Sequence, residues 1–99
     1  MTNTEYFSLL VPEISPDIVG AIMVTRSITG AEEYSITKEA ELVEADILMR
    51  AVLLPEFSEG KLSMKYNVSE LKRQANSIYR KYGDPKFDDG QPKIKKLRL

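Results

Sequence analysis

The residue types that usually carry enzyme chemistry are scarce in this chain of 99 residues. It contains no cysteine and no histidine, which excludes thiol nucleophiles, disulfides and the commonest general base and metal ligand. Motifs of the G-x-S-x-G or H-E-x-x-H type and phosphate-binding glycine loops do not occur either. We therefore expect a protein that is not an enzyme and that uses no metal ion or other cofactor.

One short segment, DPKFDDG at residues 84–90, has a faint similarity to a calcium-binding loop. Lys86 occupies a ligand position, however, and the glycine stands at the seventh place of the loop instead of the sixth. Lys95 stands where the bidentate glutamate belongs. The pattern therefore does not predict a calcium site.

Asp46 and Arg50 are two charged residues within a strongly apolar segment. A spacing of four residues places both on one face of a helix, where opposite charges can pair. We expect an ion pair between them at the edge of the core, rather than a catalytic arginine.

The charged residues are unevenly divided along the chain, although the net charge is only −1. Residues 1–60 hold three basic and eleven acidic residues, and residues 61–99 hold eleven basic and four acidic residues. One interpretation is an ordinary solvated surface. The other is a polar molecule whose acidic and basic ends favour head-to-tail association of copies, or contact between the basic end and DNA.

Several cations near the C-terminus are candidate contacts with DNA phosphates. They are Lys72, Arg73 and Arg80 on one face of a predicted helix, and Lys95 and Lys96 in the tail. No helix-turn precedes that helix, and aromatic residues are not interleaved with the cations as a single-strand binder requires. Reading of base sequence is therefore not expected, and loose contact with the DNA backbone remains an open alternative.

Four segments have helical periodicity together with start or stop signals, namely residues 4–11, 16–26, 38–54 and 68–82. Ser15, Thr37 and Asn67 are predicted N-caps. Glu70 is placed to complete a capping box with Asn67, and Gly83 is placed to end the last helix. The third helix is apolar on nearly all sides, which is typical of a central helix.

A short strand is predicted at residues 61–68, before the last helix, because apolar residues at 62, 64, 66 and 68 alternate with polar ones. No other segment is an equally clear strand, so the candidates for pairing are a hairpin with residues 56–58, the C-terminal tail, or another chain. Another chain is favoured by the divided charge. The predicted subunit-interface residues are Leu62, Met64, Tyr66, Ile94 and Leu97.

These elements predict a mainly α fold, a small bundle of three to four helices with one short β-strand or hairpin arm before the last long helix. Residues 1–84 would form a single domain, and residues 85–99 a basic extended tail. The longest apolar run, residues 47–54, is too short for a membrane span, and no signal peptide is visible. We expect a soluble protein that is made inside the cell and has no membrane partner.

Three motifs resemble those of the small head-to-tail connector (adaptor, head-completion) proteins of tailed bacteriophages and prophages. The motifs are A-D-I-L, S-E-G-x-x-S and A-N-x-x-Y-x-x-Y-G, and the resemblance covers about residues 34–85. In this chain they stand as Ala45-Asp46-Ile47-Leu48, Ser58-Glu59-Gly60 with Ser63, and Ala75-Asn76 with Tyr79, Tyr82 and Gly83.

The resemblance implies a structural protein of the virion neck, made in the cytoplasm of the bacterial host. Such proteins form rings, commonly of twelve copies, that link the portal protein to the next tail-completion protein and extend the DNA channel. The family has no catalytic residues. Two alternatives remain open, a small DNA-associated regulatory protein that binds duplex through the basic face of the 68–82 helix, and a toxin–antitoxin or accessory binding module.

Overall fold

The computed structural model describes residues 1–54 and 66–87. In these residues the chain forms four α-helices, α1 (Asn3–Leu10), α2 (Pro16–Thr25), α3 (Lys38–Val52) and α4 (Val68–Tyr82). The predicted mainly α fold is confirmed, and each helix lies within two residues of its predicted bounds. Most of the predicted strand and of the tail lies outside the described residues. Val68, the last residue of the predicted alternation, is the first residue of α4.

The predicted N-caps are all confirmed. The side chains of Ser15, Thr37 and Asn67 each accept a hydrogen bond from the backbone N–H three residues later, at 3.4, 3.1 and 2.9 Å. Each bond satisfies one of the N–H groups that a helix start leaves without an intrahelical partner. The starts of α2, α3 and α4 are therefore fixed by local sequence.

A complete capping box occurs at α1, where it was not predicted. Thr2 Oγ1 accepts from the Glu5 N–H, and the Glu5 carboxylate accepts from the Thr2 N–H at 2.7 Å. At the start of α4, the Glu70 carboxylate accepts from the Arg73 guanidinium. That bond directs Glu70 along the helix, so the predicted reciprocal bond to Asn67 is replaced by an i,i+3 ion pair.

α3 is the central helix and contacts the other three described helices. Residues on several of its sides are fully or nearly fully buried, as the sequence predicted. They are Ala40, Leu42, Val43, Ala45, Ile47, Leu48 and Ala51. α4 contributes Leu71, Ala75 and Tyr79 to the same core. None of the helices described by the structure has the length and apolar composition required to cross a membrane.

The loop between α2 and α3 is held against α1. The backbone N–H groups of Asn3 and Thr4 donate to the carbonyl oxygens of Glu32 and Gly30 at 2.8 and 3.0 Å. The rings of Tyr6 and Tyr34 stack with their centroids 3.7 Å apart. The loop therefore has a fixed position beside the start of α3.

α4 runs antiparallel to α3, since its C-terminal residue Tyr82 contacts Glu41 near the start of α3. Gly83 ends α4 with φ 64°, a left-handed conformation that glycine adopts without strain. The Asp84 N–H then donates to the Tyr79 carbonyl oxygen at 2.9 Å. The turn that follows lies against the ends of α2 and α4, where it completes the ion cluster described next.

Candidate functional site

The buried carboxylate of Asp46 lies at the centre of a hydrogen-bonded cluster. Arg26, at the end of α2, donates from Nε to Oδ2 at 2.8 Å and from Nη2 to Oδ1 at 3.1 Å. The Tyr79 hydroxyl and Lys86 Nζ donate to Oδ1 at 2.6 and 3.1 Å. The predicted pairing of Asp46 with Arg50 is therefore wrong. The hydrogen-bond partners of Asp46 that the structure describes all lie outside α3, and Arg50 is exposed.

Asp84 extends the cluster into the turn after α4. It accepts from Arg26 Nη1 at 2.8 Å and from the Lys86 backbone N–H at 2.9 Å. Two acidic and two basic side chains are thus combined, so the cluster is neutral as a whole. It joins α2, α3 and α4 to the segment from which the C-terminal tail departs.

The pKa values of the cluster follow from this geometry. Burial alone would raise the pKa of Asp46, but the hydrogen bonds from Arg26, Tyr79 and Lys86 outweigh burial and hold it below its usual range. The hydrogen bond from Arg26 also lowers the pKa of Asp84. Burial, together with the bond to Asp46, raises the pKa of the Tyr79 hydroxyl. Both carboxylates are therefore charged and the phenol is neutral at pH 7.

The role that this geometry supports for the cluster is structural. Oδ1 of Asp46 accepts three hydrogen bonds and Oδ2 accepts one, so its lone pairs are largely occupied by protein donors. Among residues 1–54 and 66–87 there is no group of three or more acidic side chains placed to hold a metal ion. The cluster thus fixes the C-terminal ends of α2 and α4 against the middle of α3.

The predicted DNA contacts that the structure describes lie on the exposed side of α4. Arg73 is in an ion pair with Glu70. Lys72 and Arg80 are exposed, and neither forms an ion pair within the described residues. Lys95 and Lys96 lie outside those residues. The structure therefore brings three of the five predicted cations onto one helix, and one of the three is already paired.

Of the predicted subunit-interface residues, the structure describes Tyr66. Its side chain is half-buried against the core, and its hydroxyl donates to Glu13 Oε1 at 3.0 Å. Tyr66 thus joins the segment before α4 to the loop between α1 and α2. The other predicted interface residues, Leu62, Met64, Ile94 and Leu97, lie outside the described residues.

A groove that sequence reasoning did not identify lies between α2, the C-terminal half of α3 and α4. We call it the basic groove, and its volume is about 610 Å³. Its apolar lining includes Ile22, Met49, Val52 and Leu53, and its cationic lining includes Arg50, Lys72 and Lys86. Leu53 is 74% exposed. Helical periodicity assigned several of these residues to the core, and only the packing of three helices leaves them at its border.

An acidic surface lies at the other end of α3. We call it the acidic edge and define it by Glu32, Ile36 and Glu39, which are all exposed. Ile36 is 78% exposed, although it is a large apolar residue. Within the described part of the chain, neither glutamate forms an ion pair. The acidic edge thus combines a protruding apolar side chain with unpaired negative charge.

Two of the three motifs that carry the phage-connector resemblance lie at the contact between α3 and α4. Ala45 and Ala75 are fully buried there, and Asp46 is bonded to Tyr79. Small residues allow the two helices to approach closely, and the Asp46–Tyr79 bond satisfies polar groups that the contact buries. These motif residues therefore maintain the fold.

Comparison with known protein families gives a match over nearly the whole chain. A family model described as a family of unknown function (DUF6706) matches residues 1–98. No curated protein and no solved structure matches the chain.

Proposed function

We propose that this chain, which belongs to the family of unknown function DUF6706, is a non-enzymatic structural protein of a phage or prophage head–tail junction. In this proposal several copies form a ring that links the portal protein to the tail and extends the DNA channel. The connector-like motifs support the proposal, and the family match leaves it open.

The observation that carries the proposal is the position of the basic groove and the acidic edge at opposite ends of α3. The internal ion cluster uses Arg26, Asp46, Asp84 and Lys86, so these charges are matched inside the molecule. Within residues 1–54 and 66–87, Lys72 at the basic groove and the two glutamates of the acidic edge form no ion pair. Unmatched charges of opposite sign at separate positions favour association between copies.

Native mass spectrometry of the chain, alone and with the portal protein encoded in the same genome, tests this proposal. We expect a complex that contains one portal assembly and several copies of the chain, with twelve as the copy number that the resemblance implies. A chain that binds no portal in any mixture would refute the proposed function. A portal from an unrelated phage is the matched control, and it should bind no copies.

A second candidate function is supported by Lys72 and Arg80 on α4, which are exposed and form no ion pair in the part of the chain that the structure describes. A DNA-associated regulatory protein would use these cations, together with Arg73, to contact the phosphates of duplex DNA. Binding should then weaken steeply with rising salt and be lost in the Lys72→Glu, Arg73→Glu double variant. Absence of duplex binding at ~50 mM salt, where phosphate contacts are weakly screened, would exclude this function.

A further inference from the structure

The basic groove and the acidic edge are complementary, but they lie too far apart to meet within one molecule. The charged residues that face each surface on α3, Glu39 at the acidic edge and Arg50 at the basic groove, are eleven residues apart, which is about 16 Å along the helix at 1.5 Å per residue. We propose that the basic groove of one copy receives the acidic edge of a second copy of this chain. This inference rests on the proposed function, because it names the surfaces through which copies would associate.

The shapes of the two surfaces support this contact. The acidic edge presents Ile36 as a protruding apolar side chain, and the basic groove offers an apolar lining with room for several side chains. Leu53 at the groove is similarly exposed. A contact that buries both residues removes apolar surface from water, which is the main favourable contribution to most protein association.

The charges support the same pairing and disfavour the others. Arg50 and Lys72 line the basic groove, whereas Glu32 and Glu39, four residues before and three residues after Ile36, are exposed. Two grooves facing each other, or two edges, would place like charges together, which costs free energy. Of these three pairings, the contact between groove and edge is the one that brings opposite charges together. The pattern therefore specifies orientation as well as attraction.

A second copy fits the groove better than DNA does. DNA would be held by phosphate contacts, so it would use Lys72 and Arg80 alike, and its phosphates offer nothing to the apolar lining of the groove. Arg80 does not line the groove. The two occupants can therefore be distinguished by comparing these two cations on the same helix.

Charge exchange between two variants of the full chain tests the proposal. The first is the groove variant, Arg50→Glu with Lys72→Glu, and the second is the edge variant, Glu32→Lys with Glu39→Lys. Each should self-associate at least about tenfold more weakly than the wild type, because each brings like charges together. An equimolar mixture should regain association, since both possible contacts between the two variants then pair opposite charges.

Sedimentation velocity over concentrations up to ~0.5 mM at low salt is the measurement, since this range detects even weak association. Recovery of association only in the mixture would support the proposal. A wild-type chain that stays monomeric over the whole range, or a wild-type association that neither variant weakens, would overturn it. The proposed function is judged separately by portal binding, so each idea can fail without the other.

Matched controls separate the contact from general effects of charge and exposure. Arg80→Glu makes the same charge change as Lys72→Glu alone, on α4 but outside the groove, and Leu9→Ser removes an apolar side chain that is 63% exposed on α1. Both variants should associate as strongly as the wild type. Ile36→Ser should associate more weakly, because it removes the apolar side chain of the acidic edge. Equal weakening by Arg80→Glu and by Lys72→Glu alone would overturn the proposal. Circular dichroism confirms that each variant is folded, and an unfolded groove variant is replaced by Lys72→Glu alone.

Discussion

Replacing Asp46 by asparagine should destabilise the fold strongly while leaving the size of the side chain unchanged. The Asp46 side chain is 5% exposed, and the Arg26 side chain that it binds through two oxygens is 16% exposed. Removing one partner of a buried ion pair costs about 3–5 kcal/mol, because a charge is left without compensation. We expect about 3 kcal/mol, at the low end, because Arg26 keeps Asp84 and Lys86 is largely exposed.

Urea unfolding followed by circular dichroism at pH 7 measures this loss as a change in the free energy of unfolding. Arg50→Ala is the matched control, because Arg50 is the partner expected from helical spacing and is exposed in the structure. It should change stability by less than about 0.5 kcal/mol. The reasoning would be refuted if Asp46→Asn cost under about 1 kcal/mol, or if Arg50→Ala were as destabilising as Arg26→Ala.

Three further predictions concern single residues. Asn67→Ala should lower the free energy of urea unfolding by about 1 kcal/mol through loss of the N-cap, and Asn67→Asp should restore it. Gly83→Ala should cost about 1 kcal/mol in the same assay, because alanine is strained at a left-handed φ. Steric contact is not the cause, since the space around the added Cβ is open. An unchanged stability would contradict this prediction. The pKa values of Asp46 and Asp84 are lower in the folded chain than in the unfolded chain. The two ionised carboxylates therefore stabilise the fold above the unfolded pKa of about 4, and this contribution is lost as pH falls through the folded pKa values. Wild-type stability should therefore fall more between about pH 5 and pH 2 than that of Asp46→Asn, and parallel pH profiles would refute this.

The helix starts were predictable because their causes lie within a few residues. A cap such as Ser15, Thr37 or Asn67 satisfies a backbone N–H three residues away, so the sequence contains both partners. The box formed by Thr2 and Glu5 has the same local signal and could have been found. The central position of α3 was also predictable, since a helix with apolar residues on nearly all sides must be covered on most of them.

The partner of Asp46 could not be predicted in this way. The rule for helical spacing considers residues on the same helix, and it favoured Arg50. In the structure the carboxylate is reached by Arg26 from 20 residues before it and by Lys86 from 40 residues after it. A buried carboxylate binds whichever donors packing brings closest, and a guanidinium that offers two bonds is a strong competitor for it.

The sequence by itself determined the helical class, the helix bounds and the uneven division of charge, because composition and short-range spacing contain that information. Tertiary structure alone decided which charges are paired with one another among the described residues and which are exposed there without an ion pair. Tertiary structure also decided the position of the basic groove, because residues of three helices that are distant in sequence line it. Such a surface depends on how helices pack, and packing is set by long-range contacts that a linear pattern does not record.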